Sequence, residues 1–332
     1  MSTPLNPDRY TSMPYRRCGD SGLLLPAISL GLWQGTGSYV DMELSKQIVV
    51  TAFNAGITHF DLANNYGSPA GSSEILFGKI LKELPRNEVV VATKAGYRMS
   101  TWPGPYGDGG SRKYLIQSCD ESLQRLGVDH VDIFYHHRLD PNTPMEESMG
   151  ALETLVQQGK ALYVGVSNYA DPHFTRAVDI MAKRQWSPLT LHQPCYNLLN
   201  REAETHVLPT AERAGVGVIA FSVLAQGILT GKYNDGIPAD SRVALGKGNG
   251  AIDADRLTPD KLLKVKQLAA MATARGQTLA QMALAWVLRD PRVTSALTGA
   301  SRPQQVLDSV KALENLAFTP DELAKIEVIL AA

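Results

Sequence analysis

The chain has 332 residues, of which 44% are hydrophobic and 20% charged, and 32 basic against 33 acidic side chains leave a formal net charge of −1. This balance suits a globular protein with a large core, and it argues against a broad nucleic-acid or anionic-membrane surface. Cys18, Cys119 and Cys195 are odd in number and include no Cys-x-x-Cys pair, which argues against a disulfide framework, and no metal site is expected.

Residues 1–14 read as an irregular arm without the apolar core of a signal peptide, and no apolar run approaches the ~20 residues needed to span a bilayer. A cytoplasmic protein is expected. Residues 15–32 carry a hairpin signal, with the turn-forming Gly19-Asp20-Ser21-Gly22 between Tyr15–Cys18 and Leu23–Gly31. Such a hairpin is placed to plug the amino-terminal end of a barrel.

Short runs rich in Val, Ile and Leu then recur near 28–32, 57–61, 89–94, 131–137, 162–167, 189–193, 216–222 and 295–299. Helical patterns lie between most of them. The first covers 41–55 and ends at Gly56. Others cover 72–84, with Glu74 in the first turn, and 112–126, ending at Gly127. Thr143 reads as the N-cap of a further helix, with Pro144 at its first helical position, running to Gly159. Patterns over 172–184 and 202–214 follow. The C-terminal part reads as helices over 259–275, 278–289, 303–316 and 319–330. Two long Gly-rich irregular stretches, 96–110 and 231–258, follow strands. Eight βα units predict one α/β domain over 1–332, a (β/α)8 TIM barrel with an N-terminal β-hairpin and extra C-terminal helices.

Asp61, Lys94 and His137 fall near the carboxyl ends of the second, third and fourth barrel runs, and Tyr66 follows Asp61 by five residues. Strand carboxyl ends are where parallel barrels build active sites. A free phenol with a pKa of about 10 is a poor acid at neutral pH, and a neighbouring Lys94 ammonium is expected to lower it. Asp61 can hold the lysine, and His137 can bond to a carbonyl oxygen. Each residue has a structural alternative: a strand-end Asp serves as a helix N-cap, and a loop Tyr covers a barrel mouth. Their conjunction on successive strands favours chemistry. His136 and His137 point oppositely along a strand, and spacing alone does not choose between them.

These residues resemble the aldo-keto reductase family. Residues 55–67, Ala-Gly-Ile-Thr-His-Phe-Asp-Leu-Ala-Asn-Asn-Tyr-Gly, are similar to its Asp-and-Tyr signature, Thr93-Lys94 to its lysine strand, and Val131–His137 to its Val-Asp…His strand, which selects His137. The resemblance implies NADPH/NADP as cofactor. Gly165-Val166-Ser167-Asn168 with Gln193 is similar to the nicotinamide-amide site, and Phe221 stands at the ring position, with Trp33 nearby. Ser222, Leu224, Gln226 and Gly227 match a pyrophosphate loop, though Val223 replaces the usual Pro. Lys232 and Arg242 match phosphate-contacting bases, and Gly299, Ser301, Arg302, Gln305 and Asp308 match the adenosine end. Asp308-Ser309 replaces the common Glu-Asn pair. Ser301 and Arg302 at a helix start suit a 2′-phosphate. Gly31 to Gly35 lacks the Gly-x-Gly-x-x-Gly spacing.

Within the family the chain most resembles bacterial reductases of L-glyceraldehyde 3-phosphate and methylglyoxal, a branch near the β subunits of voltage-gated potassium channels. The resemblance is carried by Trp102–Lys113, His137–Glu146 and His192–Arg201. It implies reduction of small aldehydes, with Trp33, Tyr66 and Trp102 walling the substrate and Arg138 or Arg112 offering charge to an anion. The branch includes tetramers, so a homo-oligomer is compatible. Two other readings remain: a nicotinamide-nucleotide-sensing partner protein with slow turnover, and a sugar-phosphate isomerase. Tight NADPH binding with little turnover marks the first, and Ser167, Asn168 and Gln193 argue against the second.

Overall fold

A computed structural model describes residues 4–33, 37, 40–102, 104–247 and 251–332. Residues 1–3 of the arm, Gln34 and Gly35 of the first glycine run, Pro103 and residues 248–250 of the second long loop lie outside the described residues.

Runs that are apolar on both faces form parallel strands covered on both sides. The hairpin strands are β1 (Tyr15–Arg17) and β2 (Leu24–Pro26). The barrel strands are β3 (Ile28–Gly31), β4 (His59–Asp61), β5 (Val90–Ala95), β6 (Val131–His136), β7 (Ala161–Ser167), β8 (Leu191–Gln193), β9 (Gly217–Ala220) and β10 (Val293–Thr298). They pair in chain order and close through β10 on β3, so the expected (β/α)8 barrel and N-terminal hairpin are present.

The run from Leu23 to Gly31 splits between hairpin and barrel. The Ala27 N–H donates to Pro14 of the hairpin ladder, while its carbonyl accepts from Ala296 on β10. Cys18 and Leu25 pack inside the barrel floor with Ala92, Ile133, Leu191 and Ile219, so the hairpin does plug the amino-terminal end. The fit is close. A Cβ on Gly217 would lie 2.8 Å from the Cys18 backbone.

The helices are α1 (Met42–Asn54), α2 (Ser72–Leu81), α3 (Arg112–Leu126), α4 (Met145–Gln157), α5 (His173–Lys183), α6 (Glu202–Thr205), α7 (Val207–Arg213), α8 (Pro259–Ala274), α9 (Leu279–Leu288), α10 (Pro303–Val310) and α11 (Pro320–Ala331). Three expectations are corrected. Thr143 does not cap α4, because its hydroxyl donates to Asp140 Oδ2 at 2.6 Å and Pro144 is the cap. The helix expected over 202–214 breaks at His206, where the ring of Pro209 conflicts with the carbonyl four residues earlier, that of Thr205. The pattern over 303–316 ends α10 at Val310 and continues as a 3₁₀ turn. Among the described residues, 96–110 contains no helix or strand, and no helix is long and apolar enough to cross a membrane.

Candidate active site

Strand alternation settles which histidine faces the mouth. Ile133 and Tyr135 of β6 point into the barrel, so His137 follows them at the rim. His136 points outward, with Nδ1 2.6 Å from the Tyr169 hydroxyl. Tyr135 has room because Gly165 opposite lacks a side chain: a Cβ there would lie 2.7 Å from the tyrosine ring.

Asp61 ends β4, and Lys94 lies near the end of the adjoining β5. Lys94 is 0% exposed and Asp61 1%. The Lys94 ammonium donates to Asp61 Oδ2 at 2.5 Å, to the Leu62 carbonyl at 2.7 Å and to the Tyr66 hydroxyl at 3.5 Å. The loop carrying Tyr66 is pinned by Asn64, whose N–H donates to the Lys94 carbonyl and whose side-chain amide donates to Tyr114 and Ser118 on α3. The Tyr66 ring stands 5.8 Å from the His137 ring and 6.2 Å from Trp33, centroid to centroid. The structure thus brings Asp61, Lys94, Tyr66, His137 and Trp33 together.

The charges differ from expectation in one respect. Burial, and then the negative charge of Asp61, hold the Tyr66 phenol well above its usual range, outweighing the pull of the nearby Lys94 ammonium. Burial lowers Lys94, and Asp61 opposes that shift. Burial, then Lys94, push His137 well below the ordinary imidazole range, so its ring is neutral at neutral pH. Its Nδ1 is buried without a hydrogen-bond partner among the described residues.

A second group of residues adjoins the first. The Ser167 hydroxyl donates to the Gln193 carbonyl at 2.9 Å, and Asn168 Nδ2 donates to the His137 carbonyl at 3.0 Å. Gln193 Nε2 donates to Asp61 Oδ1 at 3.0 Å. After β9, Phe221 bridges to Cys195, and the chain then enters a left-handed turn with Ser222, Ala225, Gln226 and Gly227 all at positive φ. Such conformations cost energy in non-glycine residues and concentrate at ligand clamps. Leu224 packs its side chain against the core and its carbonyl accepts from Gly227. Arg242 holds the turn by donating to the Gln226 carbonyl at 2.7 Å. The Lys232 ammonium lies 3.2 Å from where a Cβ on Gly227 would stand. A turn of this kind flanked by two cations fits an anionic pyrophosphate.

Beyond β10, Gly299, Ser301 and Arg302 are exposed at the start of α10. The Ser301 N–H and hydroxyl both donate to Gln305 Oε1, at 2.7 and 3.1 Å, and Asp308 accepts from Gln304. Arg302, the N-cap of α10, makes no side-chain bond among the described residues. A free guanidinium at a helix start suits a phosphate monoester.

Of the substrate candidates, Arg138 lies beside His137. Its guanidinium sits 4.5 Å over the Tyr97 ring, and that ring meets His137 edge-on at 4.7 Å. Arg138 also donates to the Gly96 carbonyl and to Asp108, each at 2.9 Å. Arg112, at the start of α3, instead donates to the Gly150 carbonyl of α4. Trp102 is half-buried, its indole N–H donates to Glu121 of α3 at 3.1 Å, and its ring stands edge-on to Tyr114. Sequence reasoning missed Tyr97 and Tyr135. Alternation back from His137 is enough to find Tyr135, whereas no local signal marks Tyr97.

Residues 27–331 match the Aldo/keto reductase family. An L-glyceraldehyde 3-phosphate reductase of Escherichia coli K12 is 53% identical over 333 residues, covering 98% of this chain and 95% of its own. A putative voltage-gated potassium channel subunit beta of Schizosaccharomyces pombe is 39% identical over 327 residues, 96% of this chain and 94% of its own. A probable subunit beta of Arabidopsis thaliana is 36% identical over 323 residues, 96% and 97% of the two chains.

Proposed function

Because the chain belongs to the aldo/keto reductase family and is an oxidoreductase, we propose that it uses NADPH to reduce small aldehydes, L-glyceraldehyde 3-phosphate and methylglyoxal among them, to alcohols. The observation that carries the reading is the contact of Tyr66 with the buried Lys94–Asp61 pair beside His137, at a barrel mouth where Ser167, Asn168 and Gln193 also converge. Bound at this mouth, the nicotinamide nucleotide supplies the hydride for the carbonyl carbon.

Tyr66 gives its proton to the carbonyl oxygen. Its raised pKa keeps the proton in place until that oxygen gains charge. Lys94 then stabilises the phenolate, which solvent reprotonates. The neutral His137 ring donates one N–H to the oxygen, and Trp33 shields the apolar side of the pocket. For the cofactor, Ser167, Asn168 and Gln193 would hold the carboxamide and Phe221 the ring. The turn of residues 222–227 with Lys232 and Arg242 would hold the pyrophosphate. Ser301 and Arg302 would take the 2′-phosphate, and Gly299, Gln305 and Asp308 the adenosine. On this reading the enzyme works in the cytoplasm.

The likeness to channel β subunits favours a second reading, a nucleotide sensor with slow turnover. The test follows NADPH loss with L-glyceraldehyde 3-phosphate, its D-isomer and methylglyoxal in parallel. Preference for the L-isomer is the expected result. Activity on methylglyoxal alone would leave a general aldehyde reductase. NADPH binding without turnover on any of them would overturn the proposal in favour of the sensor.

A further inference from the structure

Asp61 is buried with two oxygens to satisfy. Lys94 takes Oδ2, and Oδ1 accepts from Gln193, itself 3% exposed. Gln193 belongs to β8, across the barrel, and its backbone carbonyl is held by the Ser167 hydroxyl and the Asn168 N–H. The glutamine therefore approaches Asp61 from a fixed base. A carboxylate accepts only from the amide nitrogen, so the charge on Asp61 turns Gln193 Nε2 inward and leaves Oε1 free for another donor.

We propose that Gln193 is a positioning residue for proton donation as well as a cofactor contact: its bond draws charge from Asp61, and so governs how firmly Asp61 holds Lys94 and how negative the field is at Tyr66. The inference rests on Tyr66 being the acid, as argued above. The groups facing this cluster are few. Around Asp61 stand Lys94 from β5, His59 from its own β4, Tyr135 from β6 and Tyr66 from the following loop, with Glu74 of α2 behind Lys94. Around Tyr66 stand Asp61, Lys94, Tyr97 and His137. Gln193 is the amide within this set, and it adds a hydrogen bond without a charge of its own.

Replacing the amide by an apolar chain of similar length, Gln193→Met, leaves Oδ1 without its donor and concentrates charge on Asp61. The phenol then becomes harder to ionise, and Lys94 is held more tightly. The single-turnover rate at saturating cofactor and aldehyde falls at high pH as the coupled Tyr66–Lys94–Asp61 cluster gives up a proton. The break in that profile should move up by about half a pH unit or more in Gln193→Met. In the cofactor-free protein, the titration of Lys94 followed by ζ-nitrogen NMR, assigned with Lys94→Met, should move up as well. Gln193→His keeps an N–H donor and should restore most of both shifts, which guards against a variant that only loosens the fold. Arg302→Ala serves as control, since it weakens cofactor binding without moving either titration. An unmoved break and an unmoved Lys94 titration in Gln193→Met, with cofactor affinity alone reduced, would overturn the inference. A wild-type chain that binds NADPH but reduces no aldehyde would instead overturn the functional reading beneath it.

Discussion

Asp61→Asn tests the buried ion pair with almost no change of shape. Lys94 is 0% exposed, and its ammonium sits 2.5 Å from Asp61 Oδ2. Breaking such a pair by removing one partner typically costs about 3–5 kcal/mol. The lysine has one escape, which is to fold without its proton. From an ordinary pKa of about 10.4, giving up the proton at pH 7 costs about 3.4 units at 1.36 kcal/mol each, or ~4.6 kcal/mol, and this caps the loss. At pH 9 the cap falls to ~1.9 kcal/mol. The folded variant then binds one proton fewer than its unfolded chain, so its stability rises with pH towards that of the wild type. Denaturant unfolding of both proteins at pH 7 and pH 9 reads the difference. Turnover at saturating substrate should fall by about 10²–10⁴, the usual contribution of a positioned proton donor. A destabilisation equal at the two pH values, or below ~1 kcal/mol at pH 7, would refute the claim that Asp61 keeps this lysine charged.

Other outcomes follow from the same geometry. Tyr66→Phe should lose about 10²–10⁴ in turnover while binding of NADPH, read by its fluorescence, stays near the wild-type level, and comparable turnover would remove Tyr66 from the acid role. Arg302→Ala should weaken NADPH about 10–100-fold, the value of a charge-assisted hydrogen bond, and NADH far less, as isothermal titration would show. Burial lowers the pKa of His59, His136 and His192 to about 4 each. The unfolded chain takes up these protons near pH ~6.5 and the folded chain only near 4, so stability should fall as pH drops between those values. His137, held lower still, adds a fourth, so with up to four protons involved the slope near pH 5 should reach ~5 kcal/mol per pH unit. A flat stability profile in denaturant titrations across that window would contradict the burial of these rings.

Particular residues show where sequence reasoning stops. Asp41, Ser111, Thr258, Thr278 and Thr319 cap their helices from within two or three residues, and Gly127 closes α3 in the left-handed conformation, so those boundaries lie in local chemistry. Thr143 failed because a nearby carboxylate, Asp140, competed for its hydroxyl. Nothing local shows that the indole of Trp102, in an irregular loop, will find Glu121 on α3. The Tyr66 phenol was expected to be lowered by Lys94, but burial, and then Asp61, set the sign once the barrel closes.

Local patterns were enough for the order of strands and helices, their approximate ends and the strand termini that carry Asp61, Lys94 and His137, because periodicity, caps and turn glycines act over a few residues. The closed barrel supplied what spacing could not: it turns His136 outward to Tyr169, brings Gln193 to Asp61 from 132 residues away, and lets burial override the nearby ammonium at Tyr66. Those outcomes depend on which groups lose water together, and that is set when distant strands close into one barrel.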